Sequence, residues 1–195
     1  MFCCQFLWHG LLKGERGVYI SLEEAVDDIK AEALQFGMNF DKYIFGMNFD
    51  KYIKEKKCVI EYIFPKTFSD LDYQIFTKIK EVNASRLVLD SISLLGFYME
   101  PEAKLRDKVF TLFQRLKKHG VTALIVSEIP EDSKALSRFG FEEFVADSVI
   151  ILHYLEYAAG GMPRSLITRK MRRTDHGTDI YPFEITDKGI VVKKG

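Results

Sequence analysis

A run of apolar residues that ends at an aspartate, Leu87-Val88-Leu89-Asp90, places the strongest constraint on the fold. The run follows the turn-prone residues Asn83, Ala84 and Ser85, and a short apolar run of this kind predicts a buried parallel strand. Strands of this kind occur in sheets that carry helices on both faces. We therefore expect an open α/β sheet, in which the C-terminal end of this strand borders the crevice where such sheets bind ligands.

The position of Asp90 at the end of this strand allows two interpretations. In nucleoside-triphosphate hydrolases, a carboxylate at such a strand end helps to hold the Mg²⁺ that bridges the phosphates. In many other proteins, an aspartate after an apolar run caps the next helix. The strand alone favours capping, because short apolar runs before an aspartate are common, so the choice depends on the rest of the chain.

Helices and strands alternate along the first part of the chain. The apolar spacing predicts helices over residues 2–11, 68–82 and 105–116, and strands over residues 18–20, 59–63, 87–90 and 121–126. Ser21 is predicted to be the N-cap of a further helix that carries Glu23 and Glu24 in its first turn. Gly14 and Gly120 follow two of the helices as C-cap candidates.

From residue 149 onward the pattern changes to short strands without long helices. These strands are predicted over residues 149–152, 165–172, 183–186 and 190–192. Parallel strands joined by helical crossovers, followed by an antiparallel extension, are typical of a doubly wound α/β domain. We expect one such domain over residues 1–195, with helices on both faces of a mostly parallel sheet.

Composition and charge exclude several classes of function. The 28 Lys and Arg residues balance 28 Asp and Glu residues, so no global field favours nucleic acid or a membrane surface as a partner. Cys3, Cys4 and Cys58 lack the spacing of metal ligands and are expected to be buried thiols in a reducing compartment. Residues 1–12 are apolar but lack the features of a signal peptide and are too short to span a bilayer. We expect a cytoplasmic protein.

Residues 36–44 and 45–53 have the identical sequence FGMNFDKYI. Exact identity excludes a drifted structural repeat, whose unit would need about twenty residues or more. The repeat is either a recent in-frame duplication or an artefact, and a continuous helix through both copies would turn its apolar face to solvent. We expect the extra copy to bulge locally, and we assign it no function.

Four segments of the chain carry a family pattern. They are residues 14–24 (GERGVYISLEE), 136–147 (LSRFGFEEFVAD), 170–176 (KMRRTDH) and 181–190 (YPFEITDKGI). With the Asp90 strand between the first and the second, they resemble the KaiC-like ATPases of the RecA superfamily, over nearly the whole chain apart from the duplicated residues. The resemblance implies a RecA-like doubly wound sheet, ATP and Mg²⁺ as ligands, and a homo-oligomeric ring such as a hexamer.

One part of that family pattern is missing from this sequence. In KaiC-like ATPases, a Gly-rich phosphate loop ending in Gly-Lys-Thr directly precedes the helix that opens here at Phe2. No G-x-x-x-x-G-K-[ST] motif occurs in the 195 residues. We therefore expect this chain to lack the first strand of the sheet, the backbone cradle for phosphate and the phosphate-binding lysine. Binding of a triphosphate by this chain alone is expected to be weak.

The resemblance assigns roles to polar residues that follow the strands. Glu23 and Glu24 match the catalytic glutamates, at a position where a carboxylate can polarise the water that attacks a γ-phosphate. From the residues alone, two acids in a first helical turn equally suit the helix dipole, and the sequence does not say which of the two is the base. Asp90 is implied to orient Mg²⁺, directly or through water. Ser127, after the next strand, matches a polar position that senses the γ-phosphate.

Basic residues near the C-terminus suggest a phosphate-binding face. If residues 166–176 are extended, their period of two places one set of side chains on the same face, namely Lys170, Arg172, Thr174 and His176. Arg169 and Arg173 then lie on the opposite face. Two cations and two hydrogen-bonding groups in a row suit a polyphosphate, whereas the alternative is a solvated edge strand whose charges prevent aggregation.

The resemblance implies that this basic face reaches the nucleotide of a neighbouring subunit. Lys170 and Arg172 would then be phosphate ligands that act in trans. Lesser contacts are implied for Met171, Thr174, His176, Thr186 and Asp187.

Two classes of function remain open from the sequence. The first is an ATPase or ATP-driven switch that works as a ring, and the second is a non-catalytic interaction module that binds no nucleotide of its own. Recombinase-like DNA binding fits the superfamily, but the balanced charge and the lack of aromatic residues interleaved with Arg and Lys argue against it. We therefore expect no nucleic-acid partner.

Overall fold

The computed structural model describes residues 1–36, 38, 57–98, 102–130, 133–154 and 164–193. The helices are α1 (Phe2–Leu12), α2 (Val26–Gln35), α3 (Phe68–Val82), α4 (Leu95–Tyr98), α5 (Glu102–Lys118) and α6 (Glu142–Val145), with a 3-10 turn at Ile92–Leu94. The strands are β1 (Gly17–Ser21), β2 (Cys58–Tyr62), β3 (Arg86–Asp90), β4 (Thr122–Ile125), β5 (Ser148–Tyr154), β6 (Arg164–Met171), β7 (Ile180–Thr186) and β8 (Gly189–Val192).

The strands form two four-stranded sheets. The first sheet is parallel, in the order β2-β1-β3-β4, and the second is antiparallel, in the order β5-β6-β7-β8. Ser21 at the end of β1 is level with Asp90 at the end of β3. The predicted α/β class, with parallel strands followed by an antiparallel extension, is confirmed. The C-terminal ends of β1 and β3 therefore meet at one edge of the parallel sheet.

Helices cover both faces of the parallel sheet. On one face, Ile20 and Leu89 are buried in a core cluster with residues of α3 and α5. On the other face, Tyr19 and Val88 are buried with residues of α1 and α2. Successive strand residues point to opposite faces, so burial on both sides requires the continuous apolar runs from which the strands were predicted.

The start of α2 differs from the prediction. Ser21 was expected to cap this helix, but strand pairing extends through Ser21 on both sides, and α2 begins at Val26 after the extended residue Ala25. The Oγ atom of Ser21 instead accepts hydrogen bonds from the backbone N–H groups of Glu23, at 3.3 Å, and Glu24, at 2.8 Å. The two glutamates therefore lie in a bend between strand and helix, not in the first turn of a helix.

The basic strand β6 is shorter than predicted. It ends at Met171, and Arg173 then adopts a left-handed conformation with φ 59°, which turns the chain. The prediction that residues 166–176 are extended throughout is therefore wrong for Thr174 and His176, which follow the turn.

One side chain joins the first helix to the last strand. The Nε2 atom of Gln5 donates a hydrogen bond to the carbonyl oxygen of Ile190 at 3.2 Å, and the N–H group of Ile190 donates to Oε1 of Gln5 at 2.8 Å. The side-chain amide thus pairs with β8 as the backbone of another strand would. The neighbouring Gly189 has φ 95°, and a Cβ atom there would lie 2.7 Å from Cδ of Gln5.

Only Phe36 and Met38 of the duplicated segment belong to the described residues. Phe36 is the C-cap residue of α2 and Met38 is buried. The bulge expected for the extra copy lies outside the described residues and stays a prediction. Within the described ranges, no helix is long and apolar enough to cross a membrane.

Candidate functional site

Carboxylates gather at the C-terminal edge of the parallel sheet. Asp90 is the last residue of β3, and Glu23 and Glu24 follow β1, the neighbouring strand. The backbone N–H group of Leu22 donates a hydrogen bond to the carbonyl oxygen of Asp90 at 2.7 Å, which holds the two strand ends together. The predicted acidic residues are therefore brought to one edge by the pairing of β1 with β3.

Tyr19 orients the carboxylate of Asp90. The Tyr19 hydroxyl donates a hydrogen bond to Oδ2 of Asp90 at 2.8 Å, and the tyrosine side chain is only 3% exposed. Burial raises the pKa of Asp90, and the negative charge of Glu23 raises it further, whereas the hydrogen bond from Tyr19 opposes both effects. No local sequence pattern indicates this role of Tyr19, because its partner is seventy-one positions away in the chain.

The two glutamates of the bend have different environments. The buried hydroxyl of Ser91 donates a hydrogen bond to Oε1 of Glu23 at 2.5 Å, which fixes that carboxylate. The pKa of Glu24 is raised, first by burial and then by the negative charges of Glu32 and Asp90. The two carboxylates therefore differ in their surroundings: Glu23 is held by a hydroxyl, and Glu24 lies near other negative charges.

The donor set at this edge fits part of a nucleotide site. Among the described residues, no three His, Cys, Asp or Glu side chains cluster closely enough to hold a metal ion between them. A single carboxylate such as Asp90 suits Mg²⁺, which keeps several waters and is held by one or two carboxylates together with phosphate oxygens. The phosphate cradle is not supplied, because the 195 residues contain no G-x-x-x-x-G-K-[ST] motif.

A cavity of about 750 Å³ lies beside this edge, between β4 and β5. Its lining includes Asp90, the first turn of α1, residues 122–127 and residues 148–152. Among the described strands, β4 pairs only with β3, and β5 pairs only with β6. Each of the two strands therefore has an edge on the cavity that no described strand pairs with, and the side chains there are mostly apolar.

Ser127 lines the same cavity but belongs to a hydrogen-bond network around Glu142. Its hydroxyl donates to Oε1 of Glu142 at 3.0 Å and accepts from the backbone N–H of Arg138 at 3.1 Å. The Glu142 carboxylate is buried and also accepts hydrogen bonds from the Ser137 hydroxyl and from two backbone N–H groups of residues 139–141. Glu142 is thus the centre of the hydrogen bonds of this loop, a role that no local sequence pattern indicates.

Lys170 and Arg172 converge on the C-terminal end of α6. The Nζ atom of Lys170 donates to the carbonyl oxygens of Glu143 and Ala146, each at 2.7 Å. The guanidinium of Arg172 donates to the carbonyl oxygen of Phe144 at 3.1 Å. The two cations therefore project the same way, although one lies on β6 and the other on the turn after it. Burial lowers the pKa of Lys170, and the positive charge of Arg172 lowers it further.

The residues for which weaker nucleotide contacts were predicted lie in and beside two turns of the chain. Met171 ends β6, Thr174 is exposed on the bend after it, and His176 is half-buried. Thr186 serves its own hairpin, because its hydroxyl donates to the carbonyl oxygen of Gly189 at 3.1 Å.

Asp187 is exposed in the same hairpin, between β7 and β8. The hydrogen bonds of Lys170 and Arg172 go to residues 143–147, and not to the carboxylates that follow β1 and β3. Within one chain, the structure therefore does not join the two halves of the predicted site.

A parallel sheet covered by helices on both faces, with carboxylates after two adjacent strands and an antiparallel extension, is the architecture of a RecA-like domain. A family model described as "ATPase: KaiC" matches residues 1–195, so the chain belongs to the KaiC family of ATPases. The family predicted from the four sequence segments is confirmed.

Individual relatives agree with this assignment. The chain is 35% identical to a UPF0273 protein of Thermotoga maritima, over 98% of this chain and 81% of that protein. It is 32% identical to the circadian clock oscillator protein KaiC of Synechococcus elongatus, over 97% of this chain but only 37% of the clock protein. The crystal structure of a KaiC-like protein from Pyrococcus horikoshii superimposes with a TM-score of 0.81 and 35% identity, over 99% of this chain and 83% of that one.

Proposed function

We propose that this chain is an ATP-binding and ATP-hydrolysing domain that acts as an oligomeric switch, with the nucleotide at the interface between subunits. The observation that carries the proposal is the position of Asp90, oriented by Tyr19, beside Glu23 and Glu24. Open α/β sheets bind ligands at this edge. Membership of the KaiC family of ATPases supports a nucleotide as the ligand.

In this proposal each acidic residue has its own task. Asp90 orients Mg²⁺, because its carboxylate is fixed by Tyr19 and still has free acceptor positions. Glu24 accepts the proton of the attacking water, since its pKa is raised. Glu23 is held by Ser91 and keeps the bend in place.

The basic face supplies the second half of the proposed site, to a neighbouring subunit. Lys170 and Arg172 neutralise phosphate charge in trans, as fixed cations do in other phosphoryl-transfer enzymes. Weaker contacts of this face come from Met171, Thr174, His176, Thr186 and Asp187, whereas Ser127, after β4, senses the γ-phosphate in the same proposal. This arrangement requires a homo-oligomer, and a closed ring such as a hexamer gives every subunit the same heterologous interface. Buried free thiols favour a reducing compartment, and we propose the cytoplasm.

A test needs a form of the chain with a Gly-rich phosphate loop and its strand placed ahead of Phe2. We expect this form to hydrolyse ATP in a Mg²⁺-dependent way, and Asp90→Asn to lower the rate by about a hundredfold or more, because the metal loses its orienting group. Asp27→Asn, on the exposed side of α2, is the control of equal charge. If Asp90→Asn lowers the rate of ATP hydrolysis no more than the control does, the proposed role of Asp90 is wrong.

A second candidate is a non-catalytic interaction module. The observation that favours it is that Lys170 and Arg172 donate hydrogen bonds to backbone carbonyl groups of their own chain. Such a module would bind partner subunits equally well with and without nucleotide. Sedimentation velocity of the chain, measured with and without millimolar Mg·ATP, separates the two candidates.

A further inference from the structure

Three cations from two parts of the chain, the last turn of α5 and the end of β6, lie around Asp147. Lys117, in the last turn of α5, places its Nζ atom 2.7 Å from Oδ1 of Asp147. Arg172, after β6, places a guanidinium nitrogen 3.3 Å from the same oxygen. Lys170 is the third cation, bonded to the backbone next to Asp147 at Ala146. We refer to Lys117, Lys170 and Arg172 as the basic cluster.

The basic cluster has more positive charge than the described carboxylates around it neutralise. Among the described residues, the carboxylates that interact with these three cations are those of Asp147 and Glu143. Both Arg172 and Lys117 contribute to the lowered pKa of Lys170, after burial, so the cations repel one another. The hydrogen bond from Lys117 holds the pKa of Asp147 below its usual range, so this carboxylate is ionised. A further anion would relieve the repulsion.

The cations that contact Asp147 can exchange this carboxylate for another anion. The side chains of Lys117, Asp147 and Arg172 are 37%, 46% and 49% exposed. Ion pairs at this exposure add little to the stability of a fold. Lys117 and Asp147 also line the cavity beside Asp90, so packed side chains do not block the approach. The cations can therefore leave Asp147 for another anion without unfolding the protein.

We propose that Lys117 is a third phosphate ligand of the basic cluster, and that Asp147 occupies the place that a phosphate group takes on binding. This inference rests on the proposed function, because it describes the same basic face. One carboxylate oxygen of Asp147 binds two of the cations, whereas the several charged oxygens of a polyphosphate can bind all three. Asp147 keeps the cations together in the free protein, and it lowers the affinity for phosphate because it must be displaced.

The probe is inorganic tripolyphosphate, titrated into the full chain by calorimetry at fixed ionic strength. Lys117→Ala should weaken binding by about as much as Arg172→Ala, about three- to tenfold, as for the loss of one charge-assisted contact. Lys118→Ala removes the same charge from the next residue and should change binding by less than about twofold. Lys117→Arg should retain binding, which separates the loss of charge from the loss of structure.

Removal of the negative charge of Asp147 is expected to increase the affinity for tripolyphosphate, in contrast to removal of the cations. Asp147→Asn should tighten tripolyphosphate binding by about two- to fivefold, because the internal competitor loses its charge. Asp175→Asn is the matched control, since it changes the net charge equally at an exposed loop residue. A thermal melt of each variant verifies that the comparison is made between folded proteins.

Two negative outcomes have different meanings. If Lys170→Ala and Arg172→Ala bind tripolyphosphate as tightly as the parent chain, the basic face is no phosphate site and the trans half of the proposed function is wrong. If those two variants lose affinity but Lys117→Ala and Asp147→Asn behave like their controls, the present inference is wrong and the proposed function stands.

Discussion

The Tyr19 hydroxyl donates a hydrogen bond to Oδ2 of Asp90 at 2.8 Å, between adjacent strands. This bond supports the ionised form of a carboxylate whose burial disfavours that form, so Asp90 is kept in place at an energetic cost. Sites of this kind gain function at the expense of stability, and the cost can be measured.

We predict that Asp90→Asn stabilises the protein at neutral pH. The pKa of Asp90 is higher in the folded protein than its usual value of 3.8. Keeping this carboxylate ionised therefore lowers the stability of the folded protein, and the full cost is present at every pH above the folded-state pKa. Asp90→Asn should raise the melting temperature by about 2–4 °C for each kcal/mol of stability that it restores. This increase should disappear as the pH falls through the unfolded-state pKa of Asp90. Thermal melts across this pH range measure it. A lower melting temperature at neutral pH would show that the charged form is stabilised by contacts that outweigh burial.

We predict that the chain alone binds Mg·ATP no more tightly than about millimolar, an affinity that corresponds to only about 4 kcal/mol. The physical reason is that the 195 residues contain no backbone cradle and no phosphate-binding lysine. Calorimetry on the isolated chain tests this, and micromolar binding would refute it. Steady-state turnover should be negligible under the same conditions.

The shared interfacial site can be tested by mixing variants in a form that carries a phosphate loop. Lys170→Ala and Glu24→Gln should each lower ATPase activity by orders of magnitude, because a catalytic cation can contribute about 10³-fold or more. A mixture of the two should partly recover activity, since some interfaces then carry both intact halves.

The neighbouring arginines are the internal controls for the trans cations. Arg169→Ala and Arg173→Ala should change the activation free energy of ATP hydrolysis by less than about 0.5 kcal/mol, which is the size of effect that ordinary surface substitutions have on stability. Equal effects of the controls and of Lys170→Ala, or a mixture without recovery, would mean that the basic strand is a solvated edge.

The open edges of β4 and β5 predict self-association. Unpaired strand edges with apolar neighbours are places where chains pair or aggregate. We expect a version of the chain with an additional strand ahead of α1 to be more soluble and less associated than the chain as it stands. Light scattering over a concentration series measures this, and a stable monomer without the extra strand would argue against it.

Glu142 should be important for the loop that follows β4. Its buried carboxylate accepts hydrogen bonds from two serine hydroxyls and two backbone N–H groups, so Glu142→Ala leaves several buried donors unpaired. A loss of about 2–4 kcal/mol in the free energy of unfolding is expected. Denaturant titration measures it, with the exposed Glu128→Ala as a control that should change little.

Local patterns allowed much of the fold to be predicted. The helix over residues 68–82 was predicted with its observed bounds, and the strand that ends at Asp90 was predicted to within one residue. In both cases the apolar spacing along a short stretch reflects burial directly. The role of Ser21 was predicted wrongly, because pairing with two neighbouring strands, which no local pattern reveals, keeps it in β1.

Contacts between distant residues were the part that the sequence did not reveal. Tyr19 and Lys117 looked like ordinary core and surface residues, and only the packing of strands and helices brings them to Asp90 and Asp147. The prediction that Thr174 and His176 continue the extended strand was wrong for a related reason. The left-handed conformation of Arg173 cannot be recognised from its residue type.

The pairing of the Gln5 amide with Ile190 has a mechanical consequence. The first turn of α1 lines the cavity with Asp90, and Gln5 lies one turn further along the same helix, bonded to the hairpin of β7 and β8. A rotation of that hairpin must either break two hydrogen bonds or shift α1 with it. Strain applied to the C-terminal sheet by a bound partner would therefore reach α1, and with it the cavity beside Asp90, through the Gln5 side chain.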